Sequence, residues 1–149
     1  MKRIFTFALV LLICTACLAS CAQVEQKIGE VVSVAAVEAV AEELAKQGVE
    51  YEVADEAALA EIEAEIVGAL ESDLQGKVTA AVAGTYTNAQ TGDWTTYWTY
   101  GFSSTADAEA YVQVVTKGYQ ELIDQGKAIV VNGGYIVSVT ASSMVIEQE

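Results

Sequence analysis

The sequence contains no histidine and no proline, a single arginine at Arg3, and three cysteines, Cys14, Cys17 and Cys21, all within its first 21 residues. Each absence excludes chemistry. Without histidine there is no Ser-His or Cys-His nucleophilic machinery and no histidine zinc site. With cysteine confined to the N-terminal end, the rest of the chain has neither a disulfide nor a free thiol. One arginine at position 3 leaves no guanidinium fork to clamp a phosphate elsewhere. Positive charge is scarce throughout: seven Lys and Arg stand against 21 Asp and Glu, a formal net charge of −14. Nucleic acid is therefore not a partner, since that affinity rests on neutralising phosphates.

The N-terminal end begins with the basic Met1-Lys2-Arg3 and continues as an apolar run from Ile4 to about Ala19, interrupted by Thr6 and Thr15. A membrane-spanning helix needs about 20 apolar residues. This run is shorter and stops at small residues, the layout of an export signal. At its end, Leu18-Ala19-Ser20-Cys21 resembles the lipobox of bacterial lipoprotein precursors: an aliphatic residue, two small ones, then cysteine. The resemblance implies cleavage between Ser20 and Cys21, with diacylglycerol on the Cys21 sulfur. The alternative is an ordinary signal peptide cut near Ala19 or Ala22. Two or more acyl chains, at about 0.8 kcal/mol per buried methylene, anchor stably where one chain is marginal. Ala22 follows the cysteine, and in bacteria with an outer membrane the lack of aspartate there permits onward sorting. The expected location is extracytoplasmic, lipid-anchored at the cell membrane or the outer membrane, with the membrane as a partner through Cys21.

Cleavage before Cys21 leaves 129 residues, enough for one domain with a core, carrying five lysines against 21 acids, a formal charge of −16. Such a domain is repelled by anionic lipid, so the acyl chains make the attachment. The acids are uneven, with 14 of them and two lysines between Glu25 and Asp73. They form either a surface for cations or basic partners or, more simply, solvated helix faces.

Organisation follows from periodicity. Val24, Ile28, Val31 and Ala35, then Val34, Val37, Ala41 and Leu44, recur at helical spacing and end at Gly48, predicting an N-terminal helix that either packs or forms a stalk. Val49, Tyr51 and Val53 alternate with Glu50 and Glu52, a short strand or a connector. Asp55 caps a second helix with the stripe Leu59, Ile62, Ile66, Leu70 and Leu74, closed by Gly76. Strands from Lys77 to Thr87 and from Trp94 to Phe102 are joined by a hairpin loop. Ser104 and Asp107 resemble a capping box opening a helix that Gly126 ends. Asn132-Gly133 then turns a hairpin between Lys127 to Val131 and Tyr135 to Thr140. Met144 to Glu149 reads as a fraying tail.

The fold class is α+β: two layers, an antiparallel sheet of four or five strands with helices on one face, a ferredoxin-like split arrangement being one solution, plus the N-terminal helix. The rival is helices on a four-stranded meander. The organisation expected is a signal peptide over 1–20, anchor and helix over 21–48, the α+β domain over 49–142 and the tail over 143–149. Residues 97–140, with Tyr100-Gly101-Phe102-Ser103-Ser104-Thr105-Ala106-Asp107-Ala108-Glu109-Ala110 at their centre, resemble part of the sporulation-related repeat family. That resemblance implies a ferredoxin-like fold and peptidoglycan glycan binding, although the arginine often found in that family's last strand is missing from Tyr135-Ile136-Val137-Ser138-Val139.

Candidate site residues follow from side-chain chemistry. Cys21 is the lipid acceptor. In the second long strand Trp94, Thr96, Trp98, Tyr100 and Phe102 share a face that should be core, while Tyr97 lies with threonines on the other face, expected to be open. Trp94, Tyr97 and the adjacent Asp93 are thus the candidate ligand surface, a sugar-stacking platform against the simpler reading of core aromatics. Catalysis would rest on carboxylates such as Asp93 with Glu121 or Asp124, but nothing pairs them and Asp93 suits a turn. Glu61, Glu63 and Glu65 point to different sides of a helix and form no calcium cage. The expectation is therefore a non-catalytic interaction or structural module of the cell envelope, without cofactor, bound to an envelope protein or glycan. The alternatives are a glycan-binding domain and a small carboxylate hydrolase.

Overall fold

Small residues and left-handed glycines set the element boundaries of this chain, whose computed structural model describes residues 22–148; the predicted Ser20 and Cys21 lie outside the described residues. Helix α1 (Ala22–Lys46) ends in a Schellman motif: the Val49 amide donates to Leu44 O (3.0 Å) and the Gly48 amide to Ala45 O (3.1 Å), with Gly48 at φ 72°. Leu44 and Val49 share one hydrophobic cluster, the apolar contact that accompanies this cap. Strand β1 (Glu50–Val53) follows, so the alternating stretch is a strand and not a connector. Helix α2 (Glu56–Leu70) starts where Asp55 Oδ1 accepts from the Ala58 amide at 2.9 Å. It stops earlier than the apolar stripe suggests, at Glu71, and Leu74 packs on the core from the loop beyond. Gly76 therefore does not close this helix.

Strands β2 (Val78–Thr87) and β3 (Trp94–Phe102) pair with Thr79 as an extra residue, since Val78 faces Phe102 and Ala80 faces Gly101. The long helix expected before Gly126 is two: α3 (Thr105–Gly118) and α4 (Gln120–Asp124), broken at Tyr119. Gly118 is a poor helix former, and the Tyr119 ring is engaged by Trp98 at 5.3 Å between centroids. Strands β4 (Ala128–Asn132) and β5 (Ile136–Ser142) pair so that Asn132 faces Val137. The Gly133 amide donates to Ile136 O (2.9 Å) and Gly134 has φ 85°. The turn centre is thus Gly134-Tyr135, later than Asn132-Gly133, with positive φ at its first position as in a type II′ turn. Asn132 supports it by accepting from the Gly134 amide at 3.0 Å.

The five strands form one sheet in the order β1-β2-β3-β5-β4, every neighbouring pair antiparallel. The α+β class, the antiparallel sheet and the N-terminal helix are as the sequence predicts. The ferredoxin-like arrangement is not adopted, because it needs β1 and β2 parallel with a strand between them, whereas they pair directly and antiparallel at the sheet edge. A split unit occurs later instead: β3 and β4 both run antiparallel to β5, which lies between them.

The layer count also differs from expectation. On one face Ile66, Val78, Phe102, Ala108, Tyr111, Val115, Val137 and Val139 form a core under α2 and α3. On the other, Val37, Ala41 and Leu44 of α1 meet Val49 and Val82, with Tyr97 beside them. The helices therefore lie on both faces and make three layers. The Val37 stripe is the buried one; Val24 and Val31 of the neighbouring stripe stay exposed. The tail does not fray at its start, because the Ser143 amide donates to Trp94 O (2.9 Å) and the Ile146 amide to Gly126 O (2.8 Å).

Candidate functional site

The three residues of the candidate ligand surface do not share a surface. Side chains alternate along a strand, so Trp94 and Tyr97 point to opposite faces of β3. Trp94 is 39% exposed, and its backbone is stitched to the C-terminal segment, its amide donating to Ser143 Oγ at 3.0 Å and its carbonyl accepting from Ser142 Oγ at 3.0 Å. Asp93 accepts from Ser143 Oγ at 3.2 Å. The hairpin before it is organised by Asn88, whose Oδ1 accepts from the Gln90 and Thr91 amides at 2.9 and 3.3 Å. Tyr97 is half-buried against α1, on the face expected to be open. Thr99 on that face is 2% exposed and bonded to Ser138 Oγ at 2.7 Å. The threonine-rich face is thus an interior surface, and the platform reading of Tyr97 with Trp94 is corrected accordingly.

Of the face predicted to be core, Trp98, Tyr100 and Phe102 pack into it, whereas Trp94 at its end is exposed. Tyr100 and Phe102 each lie 5.7 Å from Tyr111, ring centre to ring centre. Burial raises the Tyr100 phenol above its ordinary pKa, with Glu65 adding to the rise, and burial followed by the neighbouring Tyr100 pushes Tyr111 up much further. The carboxylates considered for catalysis have separate local partners: Asp124 accepts from Gln120 Nε2 (2.8 Å) and Glu121 from Gln125 Nε2 (3.5 Å). Glu63 accepts from the Val78 amide at 3.0 Å and so ties α2 to the start of β2. Among the described residues no group of three or more acidic, cysteine or histidine side chains is arranged around a common metal position.

Two further constructions join elements distant in sequence. The first joins the loop after α2 to the start of α3. Asp107, 5% exposed, accepts from the Gln75 amide on Oδ1 (2.9 Å) and from the Gly76 amide on Oδ2 (2.8 Å). Ser103 Oγ accepts from the Lys77 amide at 2.9 Å. Helix α1 closes over this junction: Gln26 Nε2 donates to Gln75 O at 2.8 Å and Lys77 Nζ meets Glu30 Oε1 at 2.9 Å. A methyl group on Gly29 would overlap the Ser103 carbonyl oxygen, and one on Gly76 would overlap Ser103 Oγ, so both positions require glycine for close approach. With both carboxylate oxygens of Asp107 bonded to backbone amides, the side chain clamps the loop after α2 to the start of α3.

The second construction is the β1 edge. Glu50, Tyr51, Glu52 and Val53 are all exposed, unlike any other strand of the sheet. Glu52 faces Ala83, which faces Trp98, so Glu50 and Glu52 lie on the α2 side; Tyr51 faces Gly84, which faces Tyr97, so Tyr51 and Val53 lie on the α1 side. The Ala54 amide donates to Ala81 O at 2.9 Å. Antiparallel alternation then turns the amides and carbonyls of Glu50 and Glu52 toward β2 and those of Tyr51 and Val53 outward. Beside this edge a cleft of about 260 Å³ opens between β1 and α2, walled by Ala54, Ala58, Ile62 and Ala83, reaching Tyr100, with Glu52 and Asp55 at its rim. The sequence signal for it was present in the Glu-Tyr-Glu-Val alternation, but an edge strand and a connector look alike at four residues.

No family model, no curated protein and no solved structure matches this chain.

Proposed function

We propose that this protein is a lipid-anchored extracytoplasmic lipoprotein whose domain is a non-catalytic interaction module of the cell envelope, held at a cell membrane or outer membrane by acyl chains on Cys21. The observation that carries this reading is the run of Leu18-Ala19-Ser20-Cys21 at the end of a basic start and an apolar stretch. The fold supports it in one respect. Helix α1 is helical from the first described residue, Ala22, and is packed on the sheet through Val37, Ala41 and Leu44, so a lipid on Cys21 would tether the body through a folded element instead of a loose linker. The non-catalytic reading rests on residue types: no histidine anywhere, no thiol after Cys21, and carboxylates that serve as caps and ties. The domain's excess of acids holds it off an anionic surface and leaves it free to meet a partner.

Metabolic labelling with a fatty-acid probe tests the anchor. The natural chain is expected to take up label and Cys21→Ala to lose it, with the cell-envelope fraction of the protein falling in parallel. Equal labelling of the two would refute the proposal.

A further inference from the structure

We infer that the β1 edge and the cleft beside it receive an extended cationic peptide segment, paired to β1 as a sixth strand, with basic side chains on the α2 side and apolar side chains on the α1 side. This deepens the interaction-module reading by naming the partner's chemistry, yet it does not depend on Cys21 carrying lipid.

Three independent features point the same way. The outward amides and carbonyls of Tyr51 and Val53 offer hydrogen bonds that only another extended backbone can use in register. The side chains flanking those groups divide by face. An added strand would set alternate residues beside Glu50 and Glu52, and the residues between them beside Tyr51 and Val53, which are 43% and 54% exposed. Finally, the cleft adjoining Glu52 is apolar along its walls and acidic at its rim. Its shape suits the aliphatic stem of a lysine or arginine, with the charged head reaching Glu52 or the Asp55 oxygen that the Ala58 amide leaves unused.

Short charged edge strands also protect proteins from pairing with one another, and here the charge decides which partner is refused. A second copy aligned antiparallel on β1 would set Glu50 and Glu52 against their own like, a destabilising arrangement. A cationic strand meets the opposite condition, and the formal charge of −14 on the whole chain draws it in from a distance. Protection alone would not leave Tyr51 and Val53 exposed on the reverse face.

The test uses the full chain solubilised in detergent and a fluorescein-labelled eight-residue peptide alternating lysine and valine, followed by anisotropy at low ionic strength. Saturable binding is expected. It should weaken at least about tenfold with Glu50→Lys/Glu52→Lys, whose side chains are exposed and leave the core intact. It should weaken as much when the peptide is N-methylated at the positions that would bond to β1, a change that leaves the protein untouched. A glutamate-valine peptide should not bind, and Cys21→Ala protein should bind as the natural chain does, whatever its labelling shows. The inference is overturned by absence of saturable binding to the lysine-valine peptide, by equal binding of the N-methylated peptide, or by equal binding to the charge-reversed protein. A dimer that dissociates on Val53→Pro would likewise overturn it in favour of a second copy.

Discussion

Glu71 ends α2 in the left-handed region, at φ 55°, where a Cβ crowds the following carbonyl oxygen. It is the only non-glycine residue with positive φ among those described; Gly48, Gly92, Gly126 and Gly134 carry the others. Glu71→Gly removes that crowding and should raise stability by about 1 kcal/mol, net of the added freedom of the unfolded chain. Urea denaturation checks it: the midpoint should rise for Glu71→Gly and stay put for Glu71→Ala, and a fall for glycine would remove the strain argument. Asp107 shows the opposite case, a side chain whose every acceptor is used. In Asp107→Asn one of the two amides at Gln75 and Gly76 faces an NH₂ group and loses its partner in a buried place, a cost of about 2–3 kcal/mol. Tm by calorimetry should fall, and Asp107→Asn matching the natural protein would show the clamp to be unimportant. The sequence spacing of Ser104 and Asp107 was half informative. Ser104 Oγ accepts from the Asp107 amide at 3.4 Å as a cap should, but the carboxylate bonds to residues 31 and 32 positions away, which local spacing does not encode.

At the scale of elements, α1 decides whether the sheet has one wet face or none. Its N-terminal part is seated by close approach, with Gly29 against Ser103 and Ser33 hydrogen-bonded to Thr79, and its C-terminal part by Val37, Ala41 and Leu44 on Val82. Leu44, 5% exposed, both fills that interface and closes the Schellman motif with Val49. Leu44→Ala should cost about 2–4 kcal/mol, and hydrogen exchange should rise first in α1 and at Val82, ahead of α3. Uniform exchange across the fold would mean that α1 is not a separable layer.

The strands and helices themselves were readable because their periods are local: the Leu59 to Leu70 stripe, the β3 alternation and the caps at Asp55, Ser104, Gly48 and Gly126 all stand in the sequence. The layering was not, since period alone does not say which face another element covers. A signal existed in β2, where Ala80, Ala81, Val82, Ala83 and Gly84 run apolar on both faces, the mark of a strand covered on both sides. The same layering covers Tyr97 with α1, and the place of β1 at the sheet edge depends on which strand becomes its neighbour.

Over the whole molecule, charge is the term that packing does not balance. Among the described residues two ion pairs form, Lys77 with Glu30 at 2.9 Å and Lys46 with Glu43 at 3.9 Å, and all four side chains are largely in water. Such pairs contribute little, and the other acids among the described residues form no ion pair. Fourteen of the 21 acids lie between Glu25 and Asp73: five in α1, two in β1, four in α2 and three, Asp55, Glu71 and Asp73, in the loops flanking α2. Their mutual repulsion opposes the compact state and is screened once the Debye length falls below their spacing, from about 30 Å at 0.01 M salt to about 3 Å at 1 M. Raising sodium chloride from 0.01 to 0.5 M should therefore stabilise the fold by about 1–2 kcal/mol, a Tm increase of roughly 3–8 °C. Sodium chloride is the right probe because its ions act here mainly by screening, and an equal osmolality of sucrose separates that effect from general exclusion of solute. The same screening should weaken the lysine-valine peptide at β1, so one salt series is expected to move stability up and peptide affinity down. A Tm that stays flat or falls with sodium chloride would mean that the acids are already neutralised within the fold, and the electrostatic preference of the β1 edge for cations would lose its physical basis.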